Sequence, residues 1–570
     1  MPSTPIAPPA AARRVLKGYG PLVAFALLFV LMATFVPTVD SEDLSAGPSP
    51  IADRGADETV VGEAPGTVDP ATGAPVGGST PDTQATGGTA GAAGEKAPTK
   101  ARGAGGPAGA GTPAGVQKCA DRDKQIPGDP YSPPCLVFQG DNGGATTRGV
   151  TDNEIVMSAR ILDEKGFQQT LAALAGAEIT DTPEDVKRTI SAIGVYLNKR
   201  MNFYGRQLKI AFYDGKGSST AELLGGGQAE AEADAVTASD QLKAFAEINA
   251  GSPPFSDALA RRKVLAFGAP YVSREWFLKR RPYNWSTATD CSIISESGSE
   301  FAVKQLGGKP AEFAGPGLQG KPRKFAILAP ENPWYQECVA AAKKIVTKAG
   351  QPEPMSIAYK LDINSMSNQA ASVVAKLKDE GITTVTCGCD PIFPVFLTAK
   401  AQEQGFNPEW IVVGTAATDI DLVGQLYEQE QWKRAFGVSY LGPILPTRAG
   451  LGYAAYKSVR PDDEPAFAVE IIYSQMYLLA LGIHMAGPNL TPESFEQGMF
   501  SYPGGTGPFG TWGFDADSYT PTQDYRVIWW DPTKTSVQNN KEGAYVESYG
   551  GQRFQSGNLP AEEPRVFGRQ

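Results

Sequence analysis

Apolar and polar positions change their rhythm along the chain, and from residue 153 onward that rhythm is regular. The runs at 154–161 (EIVMSARI), 207–213 (QLKIAFY), 242–248 (LKAFAEI) and 264–267 read as strands. Between them, 183–204 places Val186, Ile190, Ile193, Val195, Leu197 and Met201 on or near one helical face. Residues 229–240 read as helix, and 254–262 as a short one. A second series starts at 324. The strand KFAILA leads to Asn332, a good N-cap, and Pro333 at the first helical position. Trp334, Cys338, Ala341, Ile345 and Ala349 then repeat at helical spacing up to Gly350. The strand 355–359, the helix 367–379, the strand 383–387, a helix ending near Gly405 and the strand 410–413 follow. Strands alternating with helices require parallel sheets with helical crossovers. Two such series predict two α/β lobes.

A long apolar stretch at 466–486 (AFAVEIIYSQMYLLALGIHMA) has the length of a membrane span. Glu470, Ser474, Gln475 and His484 argue instead for a buried core helix, with His484 structural. A last strand at 524–530 closes the alternation.

The N-terminal part has a different pattern. Arg13, Arg14 and Lys17 precede an uncharged apolar run at 18–39, and Asp40, Glu42 and Asp43 follow it. About 20 residues at about 1.5 Å rise cross a hydrocarbon core of about 30 Å. Cations before and acids after predict a cytoplasmic N-terminus at 1–17, with the rest outside. The run is an anchor, or a signal segment if it is cleaved, in which case the protein is secreted. Residues 40–118 are rich in Gly, Ala, Pro, Thr and Ser and carry no aromatic side chain. Such a stretch cannot bury enough apolar surface to offset ordering entropy, and is expected to be a disordered linker.

Composition narrows the function classes. Lys and Arg total 51 against 62 Asp and Glu, a net charge of −11, which argues against nucleic acid as a partner. A single histidine leaves little room for Ser-His-Asp hydrolysis or HExxH zinc chemistry, so the sequence points away from an enzyme. No cofactor motif survives inspection. The G-x-G-x-x-G match at 315–320 precedes a strand and is followed by Pro322, the reverse of a dinucleotide fingerprint.

All six cysteines follow the membrane segment, as in an oxidising compartment. Cys119 and Cys135 flank a Pro/Gly-rich loop at the start of a lead segment, 119–150, and are expected to pair. Closing about 15 residues contributes about 3 kcal/mol. Of the other four, Cys338 with Cys387 is a candidate pair within the second lobe, with Cys291 and Cys389 as alternative partners. Cys387-Gly-Cys389 lacks the spacing of a zinc site, so no metal is expected.

Six ordered segments carry a resemblance: TDNEIVMSARI, YGRQLKIAFYDGKG, KFAILAPENPWYQECVAAAKKI, VTCGCDPIFPVFLTAKAQEQGFNPEWIVVG, AFAVEIIYSQMYLLALGIHMAG and TPESFEQGMFSYPGGTGPFGTWGFDADSY. Together, over about 149–546, they resemble the type I periplasmic binding proteins, specifically the branched-chain-amino-acid-type substrate-binding proteins of ABC importers. The resemblance implies an α/β fold of two lobes, each a parallel sheet flanked by helices, joined by three crossover hinges. It assigns 151–300 and 440–505 to lobe 1, and 301–439 and 506–570 to lobe 2. It also implies a small-molecule ligand, polar and amino-acid-like or related, held between the lobes, and a membrane permease as partner. A ligand-sensing ectodomain on the same fold is the alternative.

By position, the resemblance offers Ser252 in the loop after the third strand, and Ala269, Tyr271 and Ser273 after the fourth. From the second lobe it offers Tyr335 or Trp334 near the start of the first helix, Asp390 after the third strand and Thr415 after the fourth. The long first loop adds Phe167 and Gln168. Asp390 is the one acid in the set and so the expected partner of a cationic ligand group. No acid falls at the site where the amino-acid binders hold an ammonium: Gly414-Thr415-Ala416 stands there, with Asp419 further on.

Overall fold

The computed structural model describes residues 114–162, 181–268, 271–446 and 448–569. The expected membrane segment, the linker up to residue 113, and Phe167, Gln168 and Ala269 lie outside the described residues.

Strand β1 (Val116–Lys118) pairs antiparallel with β2 (Leu136–Phe138), and Cys119 is bonded to Cys135 beside them. The disulfide brings its own flanks into register, so pairing begins at Val116, ahead of the boundary expected at Cys119.

Strands β3 (Glu154–Ile161), β4 (Gln207–Asp214), β5 (Ala246–Ile248), β6 (Leu265–Phe267) and β7 (Asn284–Trp285) form the first sheet. Its order is β4-β3-β5-β6-β7 and every pairing is parallel. Central strands of a parallel sheet are covered on both faces, and β5 and β6 are accordingly buried at every residue. The helix Pro183–Arg200 opens with a capping box between Thr182 and Asp185 and with proline in its first turn. Ile190, Ile193 and Leu197 pack inward, whereas Val195 is 41% exposed. The helical period carries Val195 to the side opposite the sheet.

The second sheet contains β8 (Phe325–Pro330), β9 (Met355–Tyr359), β10 (Thr384–Cys387), β11 (Glu409–Val412) and β12 (Ala435–Ser439), all parallel to one another. A small hairpin, β13 (Gly505–Gly507) and β14 (Gly510–Trp512), precedes β15 (Asp524–Thr535), β16 (Glu542–Glu547) and β17 (Arg553–Gln555). The last three add antiparallel strands, giving the order β16-β15-β12-β11-β10-β8-β9 with β17 also on β15.

The chain passes between the sheets three times. The helix Cys291–Phe301 follows β7 yet packs Ile293, Ile294 and Phe301 on the second-sheet core. Residues 291–300 therefore lie with the second sheet, ahead of the crossing expected at 300. The helices Leu451–Val459, Val469–Ala486 and Pro492–Ser501 return to the first-sheet core, and β15 crosses back.

Val469–Ala486 is the one helix among the described residues long and apolar enough to span a membrane, and 72% of it is buried in the fold. It is a core helix. Gly482 admits the ring of Phe495, and Gly498 meets the backbone of Met485 and Ala486. His484 is buried, with Nε2 2.9 Å from the Pro134 carbonyl and Nδ1 accepting from the Asn202 N–H at 3.3 Å. Burial lowers its pKa to about 4, so it is neutral and structural.

Candidate functional site

In a parallel sheet all strands end on one side, and the loops that leave them carry the site. In the first lobe those loops lead into helices. Ser252 caps Pro253–Arg261, accepting from the Phe255 N–H at 3.3 Å. Its hydroxyl also donates to Glu222. Glu222 belongs to a buried ion cluster: Arg160 Nη1 lies 2.7 Å from Glu222 Oε1 and 3.3 Å from Asp234 Oδ2. Ser252 therefore has both hydrogen-bonding roles engaged within its own lobe.

Ser273 caps the short helix Arg274–Leu278, accepting from Trp276 N at 3.1 Å. It also donates to Glu337 Oε2, on the helix Pro333–Lys348 of the other lobe, at 2.8 Å. A second approach lies nearby. Gly225 (φ +92°) comes so close to Asn332 that a Cβ would sit 3.0 Å from the amide nitrogen. Asn332 is the N-cap residue expected from sequence, but its side chain makes no capping bond.

Tyr271 is the main link. It has φ +56°, a left-handed conformation uncommon for a bulky residue. It leaves the first-lobe loop and packs on the second-lobe core. Its hydroxyl faces the backbone N–H groups of Ala416 and Ala417. Those alanines are themselves left-handed, at φ 48° and 62°. Consecutive N–H groups aimed at one point make a concavity suited to an oxygen, and strain of this kind collects at ligand clamps. Burial holds the phenols of Tyr271 and Tyr335 well above their ordinary pKa, so both stay protonated.

Tyr271, Tyr335 and Thr415 line one cavity together with Gly388 and the Cys291–Cys338 pair. Asp390 stands beside Tyr335, and burial raises its carboxyl. The carboxylate is already engaged. Oδ1 accepts from Ile392 N at 2.8 Å and Phe393 N at 3.2 Å, and Oδ2 accepts from the Tyr359 hydroxyl at 2.6 Å. Asp390 thus serves the start of the helix Phe393–Glu403. Asp419 differs. Its Oδ2 accepts from Ser439 at 2.6 Å, while the buried Oδ1 has no partner.

The expected Cys338–Cys387 bond does not form. Cys338 is bonded to Cys291, and Cys387 to Cys389. Strand alternation explains it. Thr386 and Gly388 face the helix that carries Cys338, whereas Cys387 and Cys389 pack in the core on the other face. Cys387 ends β10, and the chain turns just after it, which brings Cys389 to 4.9 Å from Cys387 between Cα atoms and lets the two sulfurs meet.

Sequence reasoning missed Glu337, the small residues Ser295, Gly298 and Ser299 that line the cavity, and the N–H pair of Ala416 and Ala417. The helix CSIISESGSEF gave one signal, since it sets small residues at helical spacing where bulky ones are usual.

A family model described as periplasmic binding protein matches residues 179–536. The chain belongs to the periplasmic binding protein family. This periplasmic binding protein is therefore a substrate-binding protein, of an extracytoplasmic family, and not an enzyme. One solved structure, at a TM-score of 0.50, agrees on the fold, and two others are reported beside it. A solute-binding protein of an ABC transporter from Rhodopseudomonas palustris HaA2, in complex with p-hydroxybenzoic acid, is 11% identical, with a TM-score of 0.50 over 72% of this chain and 98% of its own. A branched-chain amino acid transporter substrate-binding protein from Streptococcus pneumoniae, in complex with isoleucine, is 13% identical, with a TM-score of 0.45 over 69% and 100%. A fatty acid ABC transporter substrate-binding protein from Thermomonospora curvata is 15% identical, with a TM-score of 0.47 over 73% and 97%. At these identities the likeness concerns the fold alone. No curated protein matches the chain.

Proposed function

We propose that the protein captures a small polar solute, amino-acid-like or related, by closing its two lobes, and delivers it to the membrane permease of an ABC importer. The N-terminal apolar segment tethers it to the cell membrane on the outer side. The reading is supported above all by Tyr271, a first-lobe residue whose hydroxyl meets a pair of second-lobe N–H groups. The Ser273–Glu337 hydrogen bond supports the same closure. A ligand carboxylate or carbonyl entering the cleft would find the hydroxyls of Tyr271, Tyr335 and Thr415. Three crossover segments act as the hinge, and ligand contacts to both lobes shift the equilibrium toward the closed form. Asp390 has its acceptors engaged by its own fold, which leaves it little capacity to meet a cationic ligand group.

A thermal-shift screen of the full-length chain against amino acids, short carboxylic acids, amides and sugars tests the proposal. A ligand at about 100 times its Kd adds about 2.7 kcal/mol of stability. A screen in which no class raises the melting temperature contradicts it.

A further inference from the structure

The three crossovers between the lobes run at 286–290, 440–450 and 513–523. The first and third touch directly. The Ser286 N–H donates to the Tyr519 carbonyl at 3.3 Å, and the Thr520 hydroxyl to Asp290 Oδ2 at 3.4 Å. The second reaches the third through Arg553, on β17. Arg553 Nη1 donates to the Leu441 carbonyl at 2.8 Å and Nη2 to the Tyr440 carbonyl at 3.0 Å. These carbonyls lie just past β12, which ends at Ser439. Nε donates to Asp524 Oδ1 at 2.7 Å, and Nη2 also to the Asp524 carbonyl at 3.0 Å. Asp524 is the first residue of β15, where the third crossover ends. A guanidinium offers its N–H groups in a rigid planar fork, so these bonds fix how the two chain segments lie against each other.

The same acid meets the first lobe. Asp524 Oδ2 accepts from Thr511 N, on β14, at 3.0 Å. Phe509 and Trp512 of that hairpin pack against the first-lobe core. The hairpin tip is held by Tyr131 of the lead segment. Its hydroxyl donates to the Gly510 carbonyl at 3.0 Å and accepts from Phe509 N at 2.6 Å, and its ring stacks on Trp512 at 4.3 Å. The fit is close. A side chain at Gly510 (φ +87°) would run into Asp524 and Arg553, and a Cβ at Gly442 would sit 2.6 Å from the Phe509 ring.

Contacts at the cleft have a different use. There Ser273 bonds Glu337 and Trp334 packs against the first-lobe core, and these must part when the lobes separate. The Asp524 cluster instead sits on the segments about which the lobes turn. We infer that Arg553 is a positioning residue for closure: with Asp524 it holds the second and third crossovers as one unit, pivoted on the hairpin tip that Tyr131 supports. Arg553 and Tyr131 both lie outside the matched residues 179–536, so the pivot is built from parts of the chain that the family model does not cover. The inference rests on the capture reading above and concerns its mechanics.

Spin labels at Lys199 on Pro183–Arg200 and Lys376 on Ile363–Asp379, exposed in the first and second lobes, report the lobe separation by pulsed dipolar spectroscopy of the ligand-free full-length chain. Arg553→Met removes all four bonds and should widen the distance distribution, with added population at longer distance. Tyr131→Phe drops only the hydroxyl and should act in the same sense to a smaller extent. Arg323→Met breaks the buried Arg323–Glu409 pair inside the second lobe, 2.8 Å, and controls for general destabilisation. It should lower the melting temperature and leave the distribution as in wild type. A folded Arg553→Met with the wild-type distribution overturns the pivot, as does equal widening in Arg323→Met. If Arg553→Met does not fold, Tyr131→Phe decides in the same way. The solute screen is a separate arm. A solute that stabilises the wild type while neither hinge variant widens the distribution leaves capture standing and refutes the pivot. A screen without response refutes capture, and the distances then decide the pivot alone.

Discussion

Arg160 offers the sharpest test of how the first-lobe loops are held. Its guanidinium forms two bonds to Glu222, at 2.7 and 3.0 Å, and a third to Asp234 at 3.3 Å. It also lies 3.7 Å over the ring of Phe255. The side chains of Arg160 and Glu222 are 2% and 0% exposed. Arg160→Met keeps the volume but leaves Glu222 buried with the Ser252 hydroxyl and no counter-ion. Removing one member of a buried pair costs about 3–5 kcal/mol, because the uncompensated charge stays in low dielectric. Asp234 is less exposed to this loss, since it also accepts from the backbone N–H groups of Lys216 and Gly217. Adding Glu222→Met to Arg160→Met should therefore recover most of the stability, within about 1–2 kcal/mol of wild type. Urea unfolding of the full-length chain, followed by tryptophan fluorescence, measures both variants. A single variant that loses less than about 1 kcal/mol, or a double variant that loses the sum of its singles, refutes the reasoning.

Three further outcomes follow from other parts of the fold. Glu247 is fully buried and its pKa is raised to about 7, with burial the largest cause, against 4.5 unperturbed. Folding holds its proton, so the folded state loses stability as pH rises from about 4.5 through about 7, by up to about 3 kcal/mol. Glu247→Gln should remove that slope, and a wild-type-minus-variant difference that is flat with pH in urea melts would contradict it. Gly498→Ala places a Cβ 2.5 Å from the Ala486 nitrogen and should cost about 1–3 kcal/mol in thermal melts; an unchanged melting temperature would show that the two helices do not touch there. Non-reducing peptide mapping should recover Cys291 joined to Cys338 and Cys387 joined to Cys389, and a fragment joining Cys338 to Cys387 would reverse the face assignment of β10.

The alternation of strand and helix was legible because each element carries its own period, as in EIVMSARI and MSIAY, and because parallel strands are apolar along their length. The helix Val469–Ala486 was legible as core from its few polar residues. The site was less so, for a reason visible in three residues. Ser252, Ser273 and Asp390 each follow a strand and start a helix. A polar residue there is wanted by the helix N-terminus whether or not a ligand exists, and single-sequence reading cannot separate the two uses. In the structure all three engage the N–H groups of the helix they precede. The tyrosines fared better, since a large aromatic in a strand-end loop has no capping role to play. The cysteine pairing failed at Cys387 because the face of a strand, not distance along the chain, decides which sulfurs can meet. Glu337 and the N–H pair at Ala416 and Ala417 depend on contacts across lobes and on backbone conformation, and neither leaves a mark in residue type.

The most direct test of the central claim is the distance between the lobes with and without ligand. Spin labels at Lys199 and Lys348, exposed on helices of the first and second lobes, report it by pulsed dipolar spectroscopy on the full-length chain. With the strongest binder from the solute screen, the distance distribution should narrow and shift to the closed separation. The same ligand bound at saturation with the distribution unchanged would contradict capture by lobe closure.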